Sequence, residues 1–246
     1  DQAEYLQQTK NIDHSNPEIQ ELANKLTENE NDLFMLVSKT ANWVKNNIKY
    51  DLNTLTESTT KPASWALQNK IGVCDEITSL FIAILRAQGI PAKFISGFSY
   101  TNNPNFPNKW GPHGWAEVYF PGTGWIPFDV TFGEFGWLDP GHIKLKESTD
   151  PQEPTTQLEW KGRGVQANIK DLDIKADVIK TGKETTPTVK WKLKPAYTTI
   201  GFGSYNVLEV EIENTADYYT GIELSLAKVK EIETEEQTCL LYTSDA

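Results

Sequence analysis

One stretch constrains the fold more than any other. Gly72-Val-Cys74-Asp-Glu opens into a strongly apolar run, Ile77 to Leu85, and the run closes at Gln88-Gly89-Ile90-Pro91. Apolar length with a Gly stop and a following Pro predicts a buried helix. Downstream, HGWAEVYFPGTGWIPFD, from His113 to Asp129, predicts a β-hairpin turning at Pro121-Gly-Thr-Gly124. A thiol, an imidazole and a carboxylate thus stand in chain order at the ends of predicted elements. Together they suit acyl transfer: the thiol attacks a carbonyl, the imidazole moves the proton, and the carboxylate orients the imidazole.

The hairpin register decides whether the last two groups can meet. A four-residue loop pairing Phe120 with Trp125 would set Asp129 opposite Ala116, on the face away from His113. A bulged or five-residue connection pairs Tyr119 with Trp125 instead. Asp129 then opposes Trp115 and becomes the diagonal neighbour of His113, roughly 7–8 Å away along the backbone. A triad requires this shifted register, and Gly122 and Gly124 make it accessible. Cys74 at a helix start has the dipole and free amides in its favour, while Asp75 and Glu76 raise the thiol pKa, so a protonated His113 is expected to restore the balance as its ion-pair partner. The Cys74 backbone N–H is the expected first oxyanion donor, with Gln68 or the Trp65 indole as the second. Trp110 and Trp115 are expected to wall a peptide cleft, set against a reading as core aromatics.

Around this centre the chain divides into four regions. Residues 1–31 are polar, with Pro17 starting a helix after Ser15-Asn16. From Asp32, a plausible N-cap, apolar residues recur at helical spacing to Ile48. Lys49 to Ser64 reads as a loop, Ala92 to Tyr100 as a strand, and Asn102 to Lys109 as a loop. Ser148 to Pro154 is the expected domain boundary, which makes 32–150 the core. Beyond it, Val165–Ile179, Val189–Leu193, Tyr205–Ile212 and Ile222–Val229 alternate at period two and predict a small β-sandwich over 151–238. Residues 239–246 break that pattern and resemble a translated sequencing adaptor. Cys239 is therefore set aside.

Charge and composition exclude several classes. A net charge of −11 argues against nucleic acid and anionic membrane partners, both of which need basic patches. No apolar run approaches the 18 residues of a membrane span. Two cysteines make no disulfide framework, and three histidines outside ligand spacing give no metal site. Of the histidines, His14 reads as solvated and His142 as a loop or short-element residue without an acid partner. The opening at Asp1 rather than Met, with the β-rich appendage, leads to the expectation of an exported, extracellular or cell-surface protein, with a cytoplasmic one as the alternative.

Three ordered blocks carry a resemblance. Gly72-Val-Cys74-Asp-Glu with Leu85-Arg-Ala-Gln-Gly-Ile-Pro-Ala92, His113-Gly-Trp-Ala-Glu-Val-Tyr, and Gly124-Trp-Ile-Pro-Phe-Asp129-Val-Thr resemble the transglutaminase-like superfamily. Ile48-Lys-Tyr50 and Trp160-Lys-Gly-Arg163 fit its habits as well. Gly114 stands where Ala is commoner in that family, and Val130 where Pro is. The resemblance implies a papain-like α+β fold, with the Cys helix packed on an antiparallel sheet. It implies Cys74 as nucleophile, His113 as general base and acid, Asp129 as the orienting residue, no cofactor, and peptide or protein amides as substrates. A non-catalytic cell-surface binding or structural module on the same fold is the alternative.

Overall fold

The computed structural model describes residues 2–52, 60–101, 109–153, 186–218, 220–225 and 238–243, with 176–177, 179–180 and 182–183 between. Contacts divide the chain into two compact units, Asp1–Asp177 and Val178–Ala246. The first is α+β, and its helices form where the local signals stand. Helix α1 (Pro17–Thr27) starts on Pro17, with the Asn16 side chain accepting from Glu18 N; α2 (Leu33–Asn47) starts on Asp32, which accepts from Met35 N. Lys49 to Ser64 is not wholly a loop. Strand β1 (Lys49–Tyr50) pairs in parallel with β2 (Ile71–Gly72), and α3 (Ala63–Asn69) lies between them.

Helix α4 (Cys74–Ala87) is the centre of this unit. Ile77 and every residue from Leu80 to Leu85 are buried, as a helix that is apolar on all sides must be. Helices α1, α2 and α3 surround it on one side, and the sheet covers the other. Gly89, at φ +78, supplies the left-handed residue just past its C-cap. The helix start is fixed from within. Glu76 folds back so that its carboxylate accepts from Val73 N and Lys61 N, and a Cβ on Gly72 would stand 2.8 Å from Glu76 Cβ.

The sheet has the order β6-β5-β4-β3-β7 and is antiparallel throughout. Its strands are β3 (Ala92–Tyr100), β4 (Trp110–Phe120), β5 (Gly124–Asp129), β6 (Glu134–Phe135) and β7 (His142–Ser148). Phe81 of α4, Phe128, Phe120 and Phe135 pack at ring-centroid distances of 5.9–6.2 Å to seal helix against sheet.

Residues 1–31 belong to the same body rather than trailing from it, since Ile12, Ile19, Ala23 and Leu26 are buried. His14 is half-buried rather than solvated, and burial pushes its pKa down. Ser148–Glu153, the described part of the turn-rich boundary, is held to this unit. Asp150 accepts from both Asn11 N and Asn11 Nδ2, and the buried Arg86 guanidinium donates to Gln7 O, Ala92 O and Thr149 O.

In the second unit, β8 (Val189–Pro195) pairs with β9 (Leu208–Asn214), and β10 (Thr220–Ser225) pairs with β11 (Thr238–Thr243). Three expected strands are therefore present, while most of the fourth, over 165–179, lies outside the described residues. Trp191 on β8 is 67% exposed, so this ladder buries little apolar surface among the described residues. The stretch beyond Cys239, expected to break the strand pattern, continues it as β11. Trp160 to Arg163 lies outside the described residues.

Candidate active site

The hairpin adopts the shifted register. Tyr119 pairs with Trp125, Val118 with Ile126 and Ala116 with Phe128. Pro121 and Gly122 form the corners of a type II turn: Thr123 N donates to Phe120 O at 3.1 Å, and Gly122 has φ +82. Continuing the ladder by one residue sets Asp129 beside Trp115 and diagonal to His113. The side chains meet, with His113 Nε2 2.6 Å from Asp129 Oδ2. An ionised carboxylate only accepts, so Nε2 carries the proton and Nδ1 is left free to act as a base.

Asp129 is fully buried and saturated with donors. Thr131 N and Phe132 N donate to Oδ1 at 2.8 and 3.0 Å, while Oδ2 takes His113 Nε2 and His142 Nε2, the latter at 3.1 Å. Burial alone would raise its pKa. The hydrogen bonds from the two histidines and from the Phe132 amide outweigh burial and hold the carboxylate down at about 2. The His113 ring stacks on Phe132 at 4.6 Å and 14°, and on Trp115 at 6.2 Å and 29°. Phe132 in turn is tied to α2, since Lys45 Nζ donates to its carbonyl at 2.9 Å.

Cys74 is the first residue of α4, half-buried and unbridged. Its thiol lies 3.7 Å from Asp75 Oδ1, and a hydrogen bond from the Gly114 backbone favours the thiolate. Thr78 of the next turn donates to Gly114 O at 3.1 Å, so the helix start docks on β4 at the residue after His113. Gly114 is required there. A Cβ would run into Phe94 Cζ and stand 3.0 Å from Asp75 Oδ1. Burial first, then the Asp75 charge, push the Cys74 pKa well up, against the pull of Gly114. Burial and Glu76 in turn raise the Asp75 carboxyl to about 6. At Cys74, burial and the Asp75 charge both favour the thiol over the thiolate.

Other expected site residues land differently. Gln68 is exposed on α3 and Trp65 half-buried there, whereas the polar groups set against the thiol are Asp75 and the Gly114 backbone. Trp110 is half-buried against Tyr100 at 5.6 Å. Trp115 is only 1% exposed, so it forms a floor under His113 and not the wall of an open cleft. Tyr50 stands within reach of the charges of Asp75 and Asp129; burial, then those charges, push its phenol up to about 12.

The residue that sequence reasoning missed is His142. Far from lacking an acid partner, it meets Asp129 through Nε2 and Asp139 Oδ1 through Nδ1, the latter at 3.0 Å. His113 and His142 pair with Gly97 and Ser99 of β3, two residues apart, and so share one face of the sheet. Gly97 leaves room between them for the Trp115 ring, which a Cβ would approach to 2.7 Å. A glycine inside a strand signals close approach, and this was the available clue. Ligand atoms of His113, Asp129 and His142, and of Glu134, Asp139 and His142, also cluster within 4.8 Å. Within these clusters Asp129 and Asp139 face ring nitrogens at hydrogen-bond distance, an arrangement that shares protons between the groups, while Glu134 Oε2 stands 3.8 Å from His142 Nδ1.

Residues 20–130 match the profile of the transglutaminase-like superfamily. An uncharacterized Bacillus subtilis protein, YebA, is 28% identical over 149 residues, which span 54% of this chain and 19% of YebA. The crystal structure of a candidate cysteine protease from Cytophaga hutchinsonii superposes with a TM-score of 0.50 at 26% identity, over 59% of this chain and 46% of that one. The periplasmic domain of TgpA from Pseudomonas aeruginosa superposes at 0.40 with 23% identity, over 52% of this chain and 46% of that one. The chain thus spans less than half the length of each. No helix among the described residues is long and apolar enough to cross a membrane.

Proposed function

Residues 20–130 being a transglutaminase-like domain, we propose that the protein is a cysteine-dependent acyl transferase acting on peptide or protein amides. The observation that carries this reading is the 2.6 Å contact between His113 Nε2 and Asp129 Oδ2, in the one hairpin register that permits it. With Nε2 holding the proton, Nδ1 is the base in this reading, on the strand against which the Cys74 helix start docks through Thr78 and Gly114. In this reading Nδ1 takes the proton of Cys74 Sγ–H as sulfur attacks the carbonyl carbon. The oxyanion is met by the Cys74 backbone N–H, which has no partner within α4 because it begins the helix. The C–N bond then breaks, and His113 returns the proton to the leaving ammonia or amine. Water resolves the thioester to an acid, or a second amine resolves it to a new amide, with His113 again acting as base.

Burial and Asp75 both favour the thiol over the thiolate, so in this reading His113 removes the proton as a general base during the attack. Action on secreted or cell-surface proteins is part of the same proposal. It is tested with casein and a Gln-containing peptide, each with and without a primary amine. Release of ammonia or new amino termini is expected, abolished in Cys74→Ala and His113→Ala. Amine incorporation would assign transamidation. Turnover unchanged in Cys74→Ala would reject the reading, and a folded protein inactive on both substrates would favour a binding module.

A further inference from the structure

We propose that His142 is a positioning residue for this site, an imidazolium whose charge keeps Asp129 from locking His113 in the protonated state. The inference rests on the cysteine-dependent reading above, since its purpose is to keep His113 a free base.

The geometry requires both ring nitrogens of His142 to carry protons. Nε2 faces Asp129 Oδ2 at 3.1 Å, and Nδ1 faces Asp139 Oδ1 at 3.0 Å with Glu134 Oε2 at 3.8 Å. A neutral imidazole has one donor and one lone pair. Either tautomer would therefore aim a lone pair at a carboxylate oxygen, at a side chain only 3% exposed. Protonating both nitrogens removes the conflict. Burial by itself would lower the His142 pKa; the hydrogen bond to Asp129 and its charge, then Asp139 and Glu134, overcome burial and push it up to about 9.

Among the described residues, the charged and titratable groups against His142 are Asp129 at the end of β5, Glu134 on β6, Asp139 in the turn before β7, and His113 on β4. Phe132 and Trp115 close the remaining sides, with centroids 5.6 and 5.3 Å from the ring. Two consequences follow for His113. First, the carboxylate plane of Asp129 is fixed from both ends, by the Thr131 and Phe132 amides on Oδ1 and by His142 on Oδ2. That holds Oδ2 on the His113 Nε2–H. Second, a buried carboxylate touching an imidazole favours imidazolium and would hold the base protonated. The His142 ring, 5.7 Å from that of His113, sets a like charge against it. That like charge opposes the pull of Asp129 and leaves Nδ1 available for the Cys74 proton.

The direct test is histidine-labelled NMR on the full chain, in which the three imidazoles are few enough to assign by substitution. In the unsubstituted protein both His142 nitrogens should be protonated at pH 7.5; one bare ring nitrogen overturns the proposal, with no variant needed. His142→Gln keeps an N–H donor at the Nε2 position and removes the charge. It should raise the His113 titration midpoint by at least about one pH unit, the effect of one charge at this range. The rising limb of kcat/KM should move by the same amount, with the plateau at higher pH recovered to within a few-fold. His142→Phe should move the limb and also lower the plateau, because the donor is lost too. A merely structural role predicts the opposite for His142→Gln: a lower plateau and an unmoved limb. That result, or a His113 midpoint unchanged by His142→Gln, would reject the inference while leaving the Cys74 chemistry intact. Loss of the Cys74 chemistry would show separately, as turnover indifferent to Cys74→Ala.

Discussion

Asp129→Asn changes one oxygen to an amide nitrogen, and its cost follows from the four donors around the carboxylate. Thr131 N and Phe132 N both require an acceptor on the Oδ1 side, so the asparagine oxygen stays there. Its NH2 group is then turned on His113 Nε2 and His142 Nε2, where the native carboxylate accepts. His113 must move its proton to Nδ1 and present N–H, not a lone pair, to the thiol. The same wrong-tautomer substitution in a serine triad costs about 10⁴ in kcat, and a loss of about 10³–10⁴ is expected here. Stability falls too. A carboxyl held at about 2 against an ordinary value of 3.8 contributes about 2–3 kcal/mol at neutral pH. Because the folded value is the lower one, that contribution is present above 3.8 and is lost as pH falls through about 2. Urea unfolding of both proteins should therefore show a gap of about 2–3 kcal/mol at pH 7, shrinking to about half at pH 3. Equal stability at pH 7, or activity retained within tenfold, would refute the reasoning.

Other substitutions probe separate parts of the account. Stability should decline as pH rises from 6.5 through about 9, because His142 has its folded pKa raised and its contribution is complete only below 6.5; thermal melts of wild type and His142→Gln should differ in this slope and in that window. Asp75→Asn removes the charge nearest the sulfur, so iodoacetamide should modify Cys74 faster than in wild type above about pH 6, where Asp75 is ionised. No acceleration there, by peptide mass mapping, would count against Asp75 as a brake on the thiol. Gly97→Ala would press a methyl group on Ile143 O and Trp115 and should cost about 1–3 kcal/mol in denaturant unfolding. Phe81→Ala, which empties a fully buried site between α4 and the sheet, should cost about 3–5 kcal/mol.

What could be read from the chain was what its local chemistry determines. The Gly89 stop, the Asp32 cap and the apolar run from Ile77 are signals within a few residues of the elements they set, and α2 and α4 formed where they pointed. The hairpin register was legible as a conditional, since Pro121-Gly122 and Gly124 allow the bulged turn and the three-group chemistry requires it. His142 was not legible in the same way. Its partners come together only when β7 pairs with β3 and a bulge between Ser96 and Gly97 sets the stagger. Trp115 looked like a cleft residue because aromatic composition does not tell a floor from a wall. Helix α3 was missed because seven residues give too short a period. The first 31 residues looked peripheral by polarity, yet their few apolar side chains, Ile12 and Ile19 among them, are buried, and Asn11 meets Asp150 across a separation no sequence window spans.

The central claim is that Cys74 sulfur becomes acylated with His113 as its base. Rapid mixing with a Gln-containing peptide, acid quenching and peptide mass mapping would detect the thioester directly. The account predicts an acyl adduct on the peptide bearing Cys74, lost in Cys74→Ala, slowed at least about 10²-fold in His113→Ala, and discharged by added amine or water. An unmodified Cys74 under turnover, or an adduct that forms as fast in His113→Ala, would contradict it.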